Sequence, residues 1–309
     1  MGLKTYLAMT RQGFKHILHN IFVSKEGQTT NYAILQTAHR LEKGLCVRDP
    51  RAGWGFDKAS KLVDLIVKET KSTNPPFDNM AVAIGEAVLA SYVKEKEKMP
   101  GEAGELSQLK SRISSMGIKL TEREEQGGAV LLHKEDVFQD KSVEHLFFSR
   151  HSIRDFDDTP VSLERLERAV TLALRAPSAC NRQASQIYVI SGDDRVRAGS
   201  NNEYHADKYL IITGNMRAFN LSELNDWIVS TSIFCGYLSL ALHAEGIGSC
   251  IFMKDIIPKS KYNESIRAMC HIPKDEQIIL EMAIGNYKDE FKVPVSYRRE
   301  AKEIIHYQK

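Results

Sequence analysis

The sequence predicts an α+β protein in which a mainly helical region, residues 1–140, precedes a mixed region of helices and short strands, residues 141–309. Three observations predict it. Apolar residues recur at helical spacing in the first region, with no β-type alternation. Apolar runs of strand length enter only after about residue 140. Amphipathic or wholly apolar helical segments separate those runs, the pattern of a sheet layered with helices.

Within the first region, Ile34, Ala38, Leu41 and Leu45 recur at helical spacing behind a candidate cap at Asn31, and Gly44 breaks the pattern. The following CVRDPRAGWGF reads as a loop, and further helices fit 58–70, 79–98 and about 105–125. NPPFD at 74–78 and Met99-Pro100-Gly101 interrupt them. The opening 22 residues carry Lys4, Arg11, Lys15 and His16 and no small-residue cleavage site. They read as a helix docked on its own domain rather than a signal peptide or a membrane-surface helix.

In the second region Ser162 caps a helix with an apolar stripe of Leu163, Leu166, Val170, Ala173 and Leu174, which Pro177 ends. Strands are expected at 186–191, 209–213, 249–253 and 278–284. Residues 226–245 are apolar on nearly every face, as in a helix buried at the centre of a dimer. With Ser230, Thr231, Ser232 and Ser239 inside it, this stretch is a poor membrane span, and no stable insertion is expected.

Hydrophobic residues make up 42% and charged residues 27%, with a formal net charge of +2. This balance is that of a soluble globular protein and supplies no basic face for nucleic acid. The five cysteines, Cys46, Cys180, Cys235, Cys250 and Cys270, are scattered without zinc spacing. They read as packed free thiols in a cytoplasmic protein.

Four polar segments could build one site. Arg150, His151, Ser152 and Arg154 put guanidiniums and a hydroxyl together, equipment for a phosphate and a polyol. Pro177, Ser178, Asn181 and Gln183 form a polar turn between helix and strand. Gly246-Ile247-Gly248-Ser249-Cys250 offers backbone amides to a flat ring, although a helix C-cap explains its glycines equally well. Ser296, Arg298 and Arg299 form a late basic group.

In this order and spacing the four segments resemble the nitroreductase-like FMN oxidoreductase family over about residues 141–309. The resemblance implies a sheet with flanking helices and a homodimer with FMN in the subunit interface. It implies that Arg150, Ser152 and Arg298, with Arg299 as an alternative to the last, hold phosphate and ribityl oxygens. His151 would contribute through its backbone and Arg154 would sit near the pyrimidine edge. Pro177, Ser178 and Asn181 would reach the partner's flavin, with Gln183 in the same turn, and Gly248 and Ser249 would lie by the ring. NAD(P)H would be the co-substrate and a small nitroaromatic- or quinone-like molecule the acceptor, in ping-pong order. The family usually needs no protein general acid, so no catalytic residue is assigned, and His243 and His271 read as structural.

Residues 1–140 resemble the N-terminal extension of some nitroreductase-like proteins associated with polysaccharide biosynthesis. A non-catalytic flavin-binding module in such a pathway is therefore the alternative reading. A branch that uses reduced flavin for dehalogenation, or fragments the flavin, ranks below both, because the chain has little room for lid segments. In the extension, His39, Glu42 and Lys43 share a helix face. They read as a salt-bridged surface, with a ligand entrance beside Arg48, Arg51 and Trp54 as the alternative.

Overall fold

In the computed structural model the described residues are 30–71, 79–99, 101–120, 123, 125–140, 142–219, 223, 225–253 and 260–308. The expected N-terminal helix lies outside them. The described helices and strands run α1 (Thr30–Leu45), α2 (Phe56–Thr70), α3 (Asn79–Lys96), α4 (Ala103–Ser115), β1 (Ala129–His133), α5 (Lys134–Val137), α6 (Val143–Ser149) and α7 (Leu163–Ala173). They continue through β2 (Ser185–Ser191), α8 (Gly192–Arg197), β3 (Lys208–Asn215), α9 (Asp226–Ala244), β4 (Ile247–Phe252), α10 (Lys261–Met269), β5 (Glu276–Asn286) and β6 (Glu290–Pro294). The chain divides into two compact units. One holds Leu132–Phe291; the other holds the described residues up to Leu131 together with those from Lys292 onward.

The mixed unit is built on a four-stranded antiparallel sheet in the order β2-β3-β5-β4. β3 and β5 are central and nearly continuous in apolar burial, because both faces of the sheet are covered here. α9 packs against α7 and against β3 and β4. All four expected strands are present; β2, β3 and β5 extend a residue or more beyond their expected bounds, and β4 starts two residues earlier and ends one residue earlier than expected. α7 starts where expected, with the Ser162 side chain accepting the Arg165 N–H. Two glycines matter for packing here. A Cβ on Gly285 would come within 2.6 Å of the Phe156 ring, and one on Gly248 within 3.2 Å of Ile153 and Phe156.

The helical unit packs α1 to α4 around Ile34, Leu41, Leu62, Ile66, Val88, Leu89 and Tyr92. The polar run at 39–45 is part of this scaffold. Glu42 is buried, pairs with His39 at 3.0 Å, and accepts the Gly128 N–H at 3.2 Å. Gly44 has no side chain because a Cβ there would come within 2.2 Å of the Trp54 indole. Trp54 is buried, its carbonyl accepts the Tyr92 hydroxyl at 2.7 Å, and Lys96 lies over its ring at 4.8 Å. The ligand-entrance reading for Trp54 therefore fails: the indole is core.

Three helical expectations need correction. Asn31 is inside α1 rather than its cap. The helix expected over 105–125 stops at Ser115, because Met116 and left-handed Gly117 (φ +71°) turn the chain out of it. The region also contains a strand, β1, which pairs with β6; both are only five residues long, too short for alternation to stand out. Cys180 is exposed rather than packed, whereas Cys46, Cys235 and Cys250 are buried free thiols.

Candidate functional site

Arg150–Arg154 leaves the end of α6 and runs along the free edge of β4. Ser152 bridges Ser249 in the parallel sense, and the Ile153 N–H donates to the Ser249 carbonyl at 2.9 Å. The structure thereby brings the first and third predicted segments together as a short added strand. Gly248 and Ser249 are both buried. The space over Gly248 is filled by Ile153 and Phe156, so its missing side chain is explained by packing.

Arg154 is the unusual member. It is 5% exposed, donates from one terminal nitrogen to the Ser152 carbonyl at 3.2 Å, and its Nε has no hydrogen-bond partner. The Tyr204 hydroxyl is also within hydrogen-bonding reach of it. Burial pushes the Tyr204 phenol up to about 12, so it stays protonated and offers no counter-charge at neutral pH. A buried guanidinium held by a carbonyl and a neutral phenol is electrostatically incomplete. Such a group favours an anionic or electron-rich ligand.

Behind the strand, His243 near the end of α9 ties the segment to the sheet. Its Nε2 lies 2.8 Å from the Ser149 hydroxyl and its Nδ1 2.8 Å from the Tyr287 hydroxyl. Burial pushes the Tyr287 phenol up, so it keeps its proton and can donate to Nδ1, leaving the Nε2 proton for Ser149. Burial, assisted by the charge of Arg150, pushes His243 down to about 4. The imidazole is thus neutral and structural, as expected from sequence. His271 lies in an exposed turn.

The His243 shift carries a sign. An unfolded histidine titrates near 6.5 and the folded one near 4. As pH falls through that window the unfolded chain takes up a proton that the folded chain refuses. The stability is fully present above the upper value and declines by up to roughly 3 kcal/mol at the lower end. His243→Gln should reduce this acid dependence in urea unfolding at a series of pH values. An identical slope in the variant would contradict the assignment.

The second predicted segment forms a strained surface turn. Cys180, Asn181 and Gln183 have φ values of 51°, 53° and 50°, left-handed conformations that cost about 1 kcal/mol or more each for residues with a Cβ. Ser178 holds the turn by accepting the Gln183 N–H at 3.1 Å on its hydroxyl and the Asn181 N–H at 2.9 Å on its carbonyl. Arg182 forks onto Glu223 at 2.9 and 2.7 Å, and the Ala179 N–H reaches the Ser230 hydroxyl at 3.3 Å. Pro177, Asn181 and Gln183 are exposed.

This turn is anchored at Ser230, whereas the 149–154 segment is anchored at His243. Thirteen residues of α9 separate the anchors, about 20 Å along the helix. Within one chain the two predicted walls stand at opposite ends of α9. Arg298 and Arg299 fall in the helical unit, exposed, with Arg298 donating to the Ser296 carbonyl.

Sequence reasoning missed Ser149, which abuts the Arg150–Arg154 run, and also Tyr204 and Tyr287. It also missed a cleft of about 890 Å³ in the mixed unit that includes His133, Asp157, Arg165, Asn286 and Tyr287 and, from the four predicted segments, Gly246 alone. Among the described residues no group of His, Cys, Asp and Glu could hold a metal ion.

Among the described residues one helix, α9, is long and apolar enough to cross a membrane. In the fold it packs through Phe234, Cys235, Leu238, Ala241 and Leu242, while Val229, Ile233 and Tyr237 are exposed. The expectation of a helix buried on all sides thus holds for one face of the single chain.

Residues 148–211 match the model of the nitroreductase family. The chain is similar to a solved nitroreductase family protein from Clostridium difficile 630, with 22% identity over 55% of this chain and 99% of that one and a TM-score of 0.45. It is also similar to an FMN-dependent nitroreductase from C. difficile R20291, with 22% identity, coverage of 53% and 98%, and a TM-score of 0.42. A nitroreductase-like family protein from Bacillus cereus gives 15% identity, coverage of 55% and 97%, and a TM-score of 0.46.

Proposed function

We propose that the protein is an FMN-dependent oxidoreductase of the nitroreductase type that takes hydride from NAD(P)H and passes it to a small-molecule acceptor. The observation that carries this reading is Arg154, a buried guanidinium with an unpartnered Nε beside the Ser152–Ser249 edge. The family match over 148–211 spans both this segment and the 177–183 turn and supports the same ligand.

These residues fit the cofactor. Arg154 offers its free N–H and positive charge to the electron-rich pyrimidine edge, where a reduced ring gathers negative charge. Arg150 and Ser152 offer a cation and a hydroxyl for phosphate and ribityl oxygens. His243, through Ser149, fixes where that strand begins. Bound FMN supplies the hydride chemistry, and the protein's contribution is binding, orientation and electrostatics. No protein group is assigned as general acid or base.

The reading includes a homodimer. The exposed stripe of α9 is apolar and smooth, with Ser232 and Gly236 between Val229, Ile233 and Tyr237. Two α9 helices packed antiparallel about a two-fold axis would bring the 177–183 turn of one chain beside the 149–154 segment of the other. That arrangement gives each flavin two walls, which the 20 Å separation along α9 denies to a single chain.

Reduction tests the oxidoreductase reading directly. Oxygen-free FMN-loaded protein mixed with NADH or NADPH is expected to lose its oxidised flavin colour with at least one of them. Colour that persists with both, in protein that retains FMN, would favour the accessory flavin-binding role instead.

A further inference from the structure

We propose that Tyr204 is a positioning residue of the flavin site: its hydroxyl fixes the plane of the Arg154 guanidinium and so aims the unpartnered Nε–H at the ring. This role rests on the FMN reading above. It belongs to a residue outside all four polar segments from which that site was drawn.

Arg154 has one hydrogen bond to its own stretch of chain, from a terminal nitrogen to the Ser152 carbonyl at 3.2 Å. A planar guanidinium held at one nitrogen can still turn about that contact, and its Nε then has no fixed direction. A second contact from a different segment removes that freedom. The Tyr204 hydroxyl supplies it as an acceptor within hydrogen-bonding reach. Both residues are only 5% exposed, so the contact is shielded from solvent.

A tyrosine can orient a partner only if its own ring is held. The Tyr204 ring stacks on Phe252, with centroids 5.1 Å apart and planes at 30°. Phe252 ends β4, the strand whose Ser249 carries the 150–154 segment. Arg154 and Tyr204 are therefore referenced to the same strand.

The backbone that delivers Tyr204 is fixed as well. It lies between α8 and β3 in a turn closed by the His205 N–H on the Asn202 carbonyl at 3.0 Å. The Asn202 side chain accepts the Ala206 N–H at 2.9 Å and the Tyr209 hydroxyl at 2.7 Å, and donates to the Ala206 carbonyl at 3.1 Å. A Cβ on Gly192 would come within 2.2 Å of the Asn202 Nδ2, so glycine there makes room for this brace. His205 takes a φ of 51°, a strained conformation for a residue with a Cβ, kept only where the surroundings enforce it. Arg195, gripped by Glu281 of β5 at 2.9 and 3.2 Å, also donates to the Asn201 carbonyl and ties the turn to the centre of the sheet.

Aim matters more in one redox state than in the other. A reduced ring gathers negative charge at its pyrimidine edge, so a well-directed guanidinium stabilises reduced FMN more than oxidised FMN. Loosening Arg154 should weaken binding of both forms, the reduced one more, and so make the bound flavin harder to reduce.

Y204F removes one oxygen and keeps the ring on Phe252. The test compares full-length wild type, Y204F, R154M and R154M/Y204F by FMN titration, and wild type and Y204F by the midpoint potential of the bound flavin. Y204F should bind oxidised FMN about three- to tenfold more weakly than wild type, with a more negative potential. In the R154M background the same substitution should change FMN affinity by less than about twofold, because no guanidinium is left to aim. Unchanged affinity or unchanged potential in Y204F would overturn the positioning role. So would an equal loss of affinity from Y204F with and without Arg154, which would make Tyr204 a packing residue. Wild type that binds no FMN would overturn the flavin reading itself, and this role with it.

Discussion

Arg154→Met is expected to abolish practical FMN retention while leaving the flavin-free protein as stable as wild type, or more so. Methionine keeps the length and the apolar stem but removes a charge buried to 5% exposure whose Nε has no partner. In the flavin-free fold that charge is costly to bury, and among the described residues its hydrogen bonds go to the Ser152 carbonyl and the neutral Tyr204 phenol. If FMN binds as proposed, the same group would complete its hydrogen bonding against electron-rich atoms. Losing one partner of such a buried contact costs ~2–5 kcal/mol, roughly thirtyfold or more in dissociation constant. FMN titration and urea unfolding of the flavin-free variant separate the two effects. A large loss of flavin-free stability with unchanged FMN affinity would make Arg154 a structural residue.

Glu281→Gln should have the largest effect on stability. Glu281 is fully buried on β5, where it accepts two bonds from Arg195, at 2.9 and 3.2 Å, and one from the Tyr262 hydroxyl at 2.5 Å. Burial works against the Arg195 charge, yet Glu281 outweighs it and holds the guanidinium more firmly protonated than an ordinary arginine. Arg195 also lies 4.6 Å from the Tyr209 ring centroid. Neutralising Glu281 leaves this cation buried without its counter-ion. The expected loss is ~3–5 kcal/mol, a large share of the ~5–15 kcal/mol that holds a typical domain folded. Urea midpoints measure it. The double variant Arg195→Met/Glu281→Leu should recover much of the loss, because an apolar pair removes both desolvation costs. A double variant as unstable as the single one would show that the network does more than balance charge.

Elements carried by periodicity were legible in the sequence. The four long strands and α1, α2, α3, α7 and α9 lie where apolar spacing predicted them. Short elements were not: α8 and β1 have six and five residues, fewer than a periodic pattern needs to declare itself. The candidate site was legible as residue types and opaque as geometry. Nothing in the 150–154 run shows that it adds to the edge of β4, since that pairing joins Ser152 to a residue near the far end of α9. The resemblance marked Arg154 for the pyrimidine edge, but nothing in the sequence shows that the fold buries it. The Ser149–His243–Tyr287 chain draws on three segments distant in sequence, so only the fold joins them. For α9, composition revealed an apolar helix but not which face its own chain leaves bare.

The most direct test of the flavin site is an FMN titration of the purified full-length protein, read by visible flavin absorbance after gel filtration. The account predicts saturation at one FMN per chain, with the flavin eluting in the dimer fraction. Protein that is folded and dimeric, yet emerges colourless after incubation with excess FMN, would contradict it.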